Sequence, residues 1–183
     1  MNALEPFDLH ADVLGRVLNL GVKKTYKRGH LFMDSPTSSN LLLFLQKGAT
    51  RNFFRAGDID LTYWISIENE FTCTVNFFTG TPGETYLEAL ETLEVVEVKR
   101  DQLHLAYQQE PLLEHFGRLL AEHQLRILER NYLMISEKSA SKRYHLFEDS
   151  YPHLNGRVSQ KYVASLLKMD QATLSRVRRK DNR

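Results

Sequence analysis

The chain has 183 residues, 42% hydrophobic and 26% charged, with a formal net charge of +1. That is ordinary globular composition, sufficient for one large domain or a medium one with a small companion. A single cysteine, Cys73, excludes an intrachain disulfide and any iron–sulfur or zinc cluster built on cysteine ligands. No apolar run approaches the roughly 18 residues that would span a bilayer as a helix.

The charge is unevenly placed. From Arg157 to Arg183 there are eight Lys/Arg against Asp170 and Asp181, a net of +6, while the preceding 156 residues carry 16 against 21, a net of −5. An acidic body with a basic end points to a polyanionic partner. The opening MNALEPFDLHADVL has neither the basic flank nor the apolar core of a signal peptide, so a cytoplasmic protein in a reducing compartment is expected.

Residues 8–20, DLHADVLGRVLNL, place Leu9, Val13, Val17 and Leu18 on one face and predict an amphipathic helix capped by Asp8. From Gly21 to about Arg100 short runs rich in Thr, Val, Phe and Tyr alternate with turn clusters such as KRGH, QKG, RAGD and TGTPGE. That pattern indicates an antiparallel sandwich or barrel. Gly48 and Gly57 suit positive φ in turns. NLLLFLQKGATRNFF predicts a hairpin pivoting near Lys47-Gly48, TLEVVEVKR predicts a strand with a wet glutamate face, and Trp64 is expected in the barrel core or rim.

From Asp101 the period is helical. DQLHLAYQQ predicts a short helix ended by Pro111, which then opens a long one. In the long helix Leu113, Phe116, Leu120, His123, Ile127, Arg130/Asn131 and Met134 form one stripe, with further apolar positions at Leu119, Leu125, Leu128 and Leu133. So wide an apolar arc is either buried on two sides by its own domain or paired with a second subunit. SKRYHLFEDSYPHL predicts another helix, stopped at the Tyr-Pro step, with a turn at Asn155-Gly156.

The end of the chain reads SQKYVASLLKMDQATLSRVRRK. Ser159 is expected to cap a helix over 160–167, and Asp170 one over 171–180. Leu174 and Val177 would face inward, leaving Gln171, Ala172, Ser175, Arg176, Arg179 and Lys180 outward. Two such helices joined by a tight turn make a helix-turn-helix, whose second helix enters the major groove. Gln can bind adenine and Arg guanine. Ser165, Thr173, Arg178, Arg179, Lys180 and Arg183 can hold phosphates. A solvated basic helix end would show the same charges.

The order of segments resembles the Crp/Fnr family of bacterial transcription regulators over nearly the whole chain. The resemblance is strongest in KYVASLLKMDQATLSRVRRK and extends to the QKG turn, TGTPGETYLEALETLEVVEV and YQQEPLLEHFGRLLAE. It implies an α+β fold: an antiparallel, jelly-roll-like β-roll of the cyclic-nucleotide-binding type with flanking helices, a long dimerisation helix and a C-terminal helix-turn-helix domain. The corresponding divisions are 1–110, 111–137 and 138–183. It assigns DNA contacts to Gln171, Ala172, Thr173, Ser175, Arg176, Arg178, Arg179 and Lys180, and a dimer helix to Phe116, Leu120, His123 and Ile127. The implied partners are double-stranded DNA, a second copy of the chain, RNA polymerase and a small-molecule effector, with no membrane.

The sequence departs from that family at the ligand site. Where cyclic-nucleotide binders carry Gly-Glu, this chain has Cys73-Thr74, and Gly83-Glu84-Thr85 holds the place of the Arg-Ser pair. Glu84 puts an anion where a cyclic phosphate needs a forked cation. No cyclic AMP or cyclic GMP cofactor is therefore expected. Any other effector would meet Cys73, Thr74, Glu84 and Thr85.

Cys73 reads as a buried small residue. The seven histidines show no metal-ligand spacing, although His123 at a dimer seam would titrate near neutrality. Lys168 stands where the turn usually has glycine, and Ala172 where an acid often precedes the recognition-helix threonine. The sequence ends at Arg183, so no β-hairpin wing is expected after the recognition helix. No Walker loop, HExxH, GxSxG or CxxC motif is present, so an enzyme is not expected. The alternative function is a β-roll ligand-binding or dimerisation module that no longer reads DNA.

Overall fold

Two antiparallel sheets carry the N-terminal part of the chain. In the computed structural model, which describes residues 11–32, 40–80, 84–154 and 156–181, β1 (Val22–Tyr26), β7 (Leu93–Lys99), β2 (Leu41–Lys47) and β5 (Phe71–Thr72) form one sheet in that order. The other is β4 (Ile59–Ser66), β3 (Thr50–Ala56) and β6 (Thr85–Ala89). The expected β-roll is present. Asp8 and Leu9 lie outside the described residues, as do Gly83, Asn155 and Arg183.

The segment read as one hairpin is a corner instead. β2 pairs with β5 and β7, and β3 pairs with β4 and β6, so the two strands belong to different sheets. Gly48 makes the corner at φ +93, and a Cβ there would lie 2.6 Å from the Thr92 carbonyl oxygen. Only glycine tolerates both the sign of φ and the approach. The true hairpin is one strand later, where Ala56 faces Ile59 across Gly57-Asp58 with Gly57 at φ +61.

The wet face expected for β7 is only partly wet. Glu94 is exposed, but Glu97 is buried and bonded to Lys24 Nζ at 2.7 Å and to the Tyr26 hydroxyl. The cause is layering: one face of β7 packs on the opposite sheet and most of the other on helices. Leu93 and Val95 pack with Leu87 and Ala89 of the opposite sheet, and Val96 and Val98 pack toward helices. Trp64 is buried, as a core position requires.

Those helices are α1 (Ala11–Asn19), α3 (Arg100–Gln109) and the 26-residue α4 (Pro111–Ser136), which begins with Pro at its first turn as expected. α2 (Val75–Thr79) is a single short turn between β5 and β6. Beyond α4, α5 (Ala140–Ser150) stops before Tyr151-Pro152, and α6 (Gln160–Leu166) and α7 (Gln171–Asp181) complete the chain. These three helices share a hydrophobic cluster that also contains Ala49, Ile65 and Leu90 of the β-roll. Among the described residues, no helix is long and apolar enough to cross a membrane.

Candidate nucleic-acid interface

α7 is set up by its first turn. Asp170 Oδ1 accepts the Thr173 backbone N–H at 2.6 Å and Oδ2 accepts the Thr173 hydroxyl at 3.0 Å. These bonds hold the Asp170 carboxyl below its ordinary range. Leu174 and Val177 are buried, so the helix has one inward stripe. Gln171, Ala172, Arg176, Arg179 and Lys180 are exposed, and Ser175 is half-exposed among them.

The expected contact residues do not all share this face. Thr173 is tied to the cap and accepts Arg176 Nη2 at 2.9 Å. Arg178 lines a cavity between α5 and α7 with Tyr144 and Phe147, on the flank of the helix. Ser165, expected at a phosphate, faces the β-roll: its hydroxyl donates to the Asp60 carbonyl at 3.0 Å and accepts the Thr62 N–H at 2.9 Å. In the turn before α7, Lys168 has φ +49. A side chain in that left-handed region costs about 1 kcal/mol, so the missing glycine leaves a strained but intact turn.

The stripe of α4 assigned to a dimer seam is corrected by burial. Phe116 and Leu120 are 0% and 1% exposed, and Ile127 is also buried. Phe116 packs against Phe71, with ring centroids 5.3 Å apart. A side chain already enclosed by its own protomer has no area left for a partner. His123 is half-buried on a flank of this stripe, and burial, then Arg126 and Arg130, lower its pKa.

A second stripe, Ala121, Leu125, Leu128, Tyr132 and Ile135, runs along the outward side with the alternating four-and-three spacing of a coiled-coil seam. Leu125 and Tyr132 are each 67% exposed. They border an apolar groove of about 600 Å³ completed by Phe54, Leu61, Tyr63 and Val75 of the β-roll and by Leu166 and Lys168.

Where the sequence predicts a ligand, three of the four side chains are packed. Thr74 is fully buried, Cys73 and Thr85 are buried, and Glu84 is exposed. The Cys73 carbonyl accepts Asn52 Nδ2 at 2.8 Å, and its sulfur lies 3.5 Å from Gln124 Nε2. Burial pushes the Cys73 thiol up to about 12, so it is not a reactive thiolate. Arg100 Nε donates to the Phe77 carbonyl of α2 at 2.7 Å. Among the described residues, no group of three or more His, Cys, Asp or Glu is placed to hold a metal ion.

One titrating group escaped the sequence reading. Glu70, between β4 and β5, accepts the Ile67 N–H at 3.2 Å, and burial raises its carboxyl to about 7 despite nearby Arg130. Its folded value exceeds its ordinary 4.5, so its contribution to stability is full below 4.5 and is lost as pH rises through about 7. Glu70→Gln is expected to stabilise the protein by about 2 kcal/mol above about pH 8 and to flatten the pH slope below it. Urea unfolding across that range measures this, and a slope unchanged by the substitution would contradict it.

Neither family models nor curated protein sequences match the chain. Solved structures do. FixK2 from Bradyrhizobium japonicum superposes with a TM-score of 0.74 at 17% identity, covering 87% of this chain and 83% of its own. CLP of Xanthomonas campestris, a c-di-GMP responsive global regulator, gives 0.71 at 17%, covering 94% and 92%. A crp/fnr-family chain from Eubacterium rectale gives 0.71 at 14%, covering 94% and 83%. The chain has the Crp/Fnr fold. Within that fold, α4 is the long helix and α7 the last helix of the chain.

Proposed function

We propose that two copies of this chain read duplex DNA as a sequence-specific transcription regulator, each placing α7 in a major groove. The observation that carries the reading is the split of α7: Leu174 and Val177 are buried, Asp170 caps the helix, and Gln171, Ala172, Arg176, Arg179 and Lys180 stand clear of the protein. Glutamine and arginine on the exposed N-terminal half suit adenine and guanine edges, and the cations of the last turn suit phosphates. The second copy covers the outward stripe of α4. Its four-and-three spacing and the exposure of Leu125 and Tyr132 support a helix of the same kind as occupant.

The test is selection of binding sites by the full chain from a random duplex pool, followed by titration at moderate salt. Arg176→Ala is expected to lose about 1–3 kcal/mol of discrimination at one base position. Micromolar binding indifferent to sequence would leave only the β-roll module.

The β-roll takes neither cyclic AMP nor cyclic GMP at the family position. Support comes from the packing of Cys73 and Thr74 and from the anion at Glu84. Saturable micromolar heat with either nucleotide in calorimetry would overturn that statement.

A further inference from the structure

The helix-turn-helix is bonded to the β-roll along one seam, and a buried arginine lies at its centre. Arg51 on β3 is 4% exposed. Its Nε donates to Glu88 at 2.6 Å, its Nη2 to Asp60 at 2.6 Å and its Nη1 to the Thr62 hydroxyl at 3.3 Å. The guanidinium lies between two rings, 3.9 Å from the Phe53 centroid and 4.3 Å from that of Tyr162. Tyr162 belongs to α6, and its hydroxyl donates to the same Glu88 at 3.3 Å. Next along α6, Ser165 bonds the β4 backbone at both Asp60 and Thr62. At the far end Arg157 forks to Glu68 and Glu91, with contacts from 2.6 to 3.2 Å.

An ion cluster around a buried arginine adds little to stability compared with an apolar replacement, because desolvation offsets the attraction. What it supplies is geometry. A planar fork that must meet two carboxylates while stacked on two rings fits one arrangement of the facing surfaces. Here the surfaces are the three-stranded sheet and α6. None of these bonds uses the exposed side of α7, so the seam orients the reading helix without covering it.

We propose that Arg51 is a positioning residue for operator reading: by locking Tyr162 and α6 onto the β-roll, it holds α7 at one orientation, so the two recognition helices of a dimer stand at a set separation with no effector required. This rests on the DNA-reading function proposed above. Half-site spacing on DNA follows from that separation, so loss of the lock relaxes spacing and leaves base reading intact.

The experiment uses the full chain and duplexes obtained by its own selection from a random pool, then rebuilt with one base pair added or removed between half-sites. The wild type is expected to prefer the selected spacing by at least about tenfold. In Arg51→Met, and in Arg51→Lys, which keeps the charge but loses the fork and the stacking, the preference is expected to fall to about twofold. Affinity for a single half-site should stay within about twofold in both. A spacing preference unchanged in folded Arg51→Met overturns the proposal, as does an equal loss on every duplex.

If Arg51→Met does not fold, the double variant Tyr162→Leu/Ser165→Ala removes the ring that Arg51 lies against and the seam's α6 hydroxyls. It is expected to relax spacing in the same direction, and wild-type spacing in it overturns the proposal. A wild type that selects no sequence defeats the DNA-reading function itself, which is a different result from a spacing preference that ignores Arg51.

Discussion

Leu125→Glu combined with Tyr132→Glu is expected to give a folded monomer whose affinity for its selected duplex falls about a thousandfold, within the 10²–10⁴ range that linking two modest binding events supplies. Both side chains are 67% exposed in the protomer, so the substitutions remove no contact from its core. In the dimer the glutamates would face their own copies across an apolar seam, and like charges held there without partners are strongly unfavourable. Sedimentation equilibrium and circular dichroism separate the two effects. A variant that stays dimeric would show that the outward stripe of α4 is not the seam.

Phe116→Ala makes the complementary case. Phe116 has no exposed surface and packs against Phe71 between α4 and the four-stranded sheet. Truncating a fully buried phenylalanine costs about 3–5 kcal/mol through lost transfer energy and the cavity left behind. The measurement is urea unfolding in the Leu125→Glu/Tyr132→Glu background, where unfolding does not depend on protein concentration. Under conditions where it remains folded, Phe116→Ala alone should dimerise as the wild type does. If Phe116 lay in the seam, the pattern would reverse: weak dimerisation and little loss of protomer stability.

The contrast between these residues marks how far the sequence could be read. The excess apolar surface of α4 is plain in its residues, but two heptad-spaced stripes run along it. One passes through Phe116 and Leu120, the other through Leu125 and Tyr132. Local periodicity cannot say which faces the β-roll, because both stripes are apolar and the choice is made by residues far away in the chain, Phe44, Phe71 and Phe77 among them. The four-and-three spacing of Ala121 to Ile135 was the available signal.

α7 was easier for the opposite reason. It has one narrow apolar stripe, Leu174 and Val177, and everything else but the small Ala172 is polar, so its inward side was settled locally. Strand pairing failed where topology overrides sequence neighbourhood. A glycine between two apolar runs predicts a hairpin, and at Gly57 it makes one. At Gly48 the same signal marks a corner between sheets, fixed by the close approach of Thr92. Glu97 alternates with valines as a wet residue would, but it shares the face of Leu93 and Val95 that packs on the opposite sheet, so it is bonded to Lys24 and Tyr26 instead. Arg51 gave no signal: one arginine in a strand reads as exposed until Glu88, Asp60 and Tyr162 are brought around it.

The most direct measurement of the central claim is a hydroxyl-radical footprint of the full chain on its selected duplex. Two protected patches on one face of the DNA, centred about one helical turn apart or a multiple of it and related by two-fold symmetry, are expected from a dimer that places each α7 in a major groove. A single patch, or uniform protection with no preferred sequence, would contradict it.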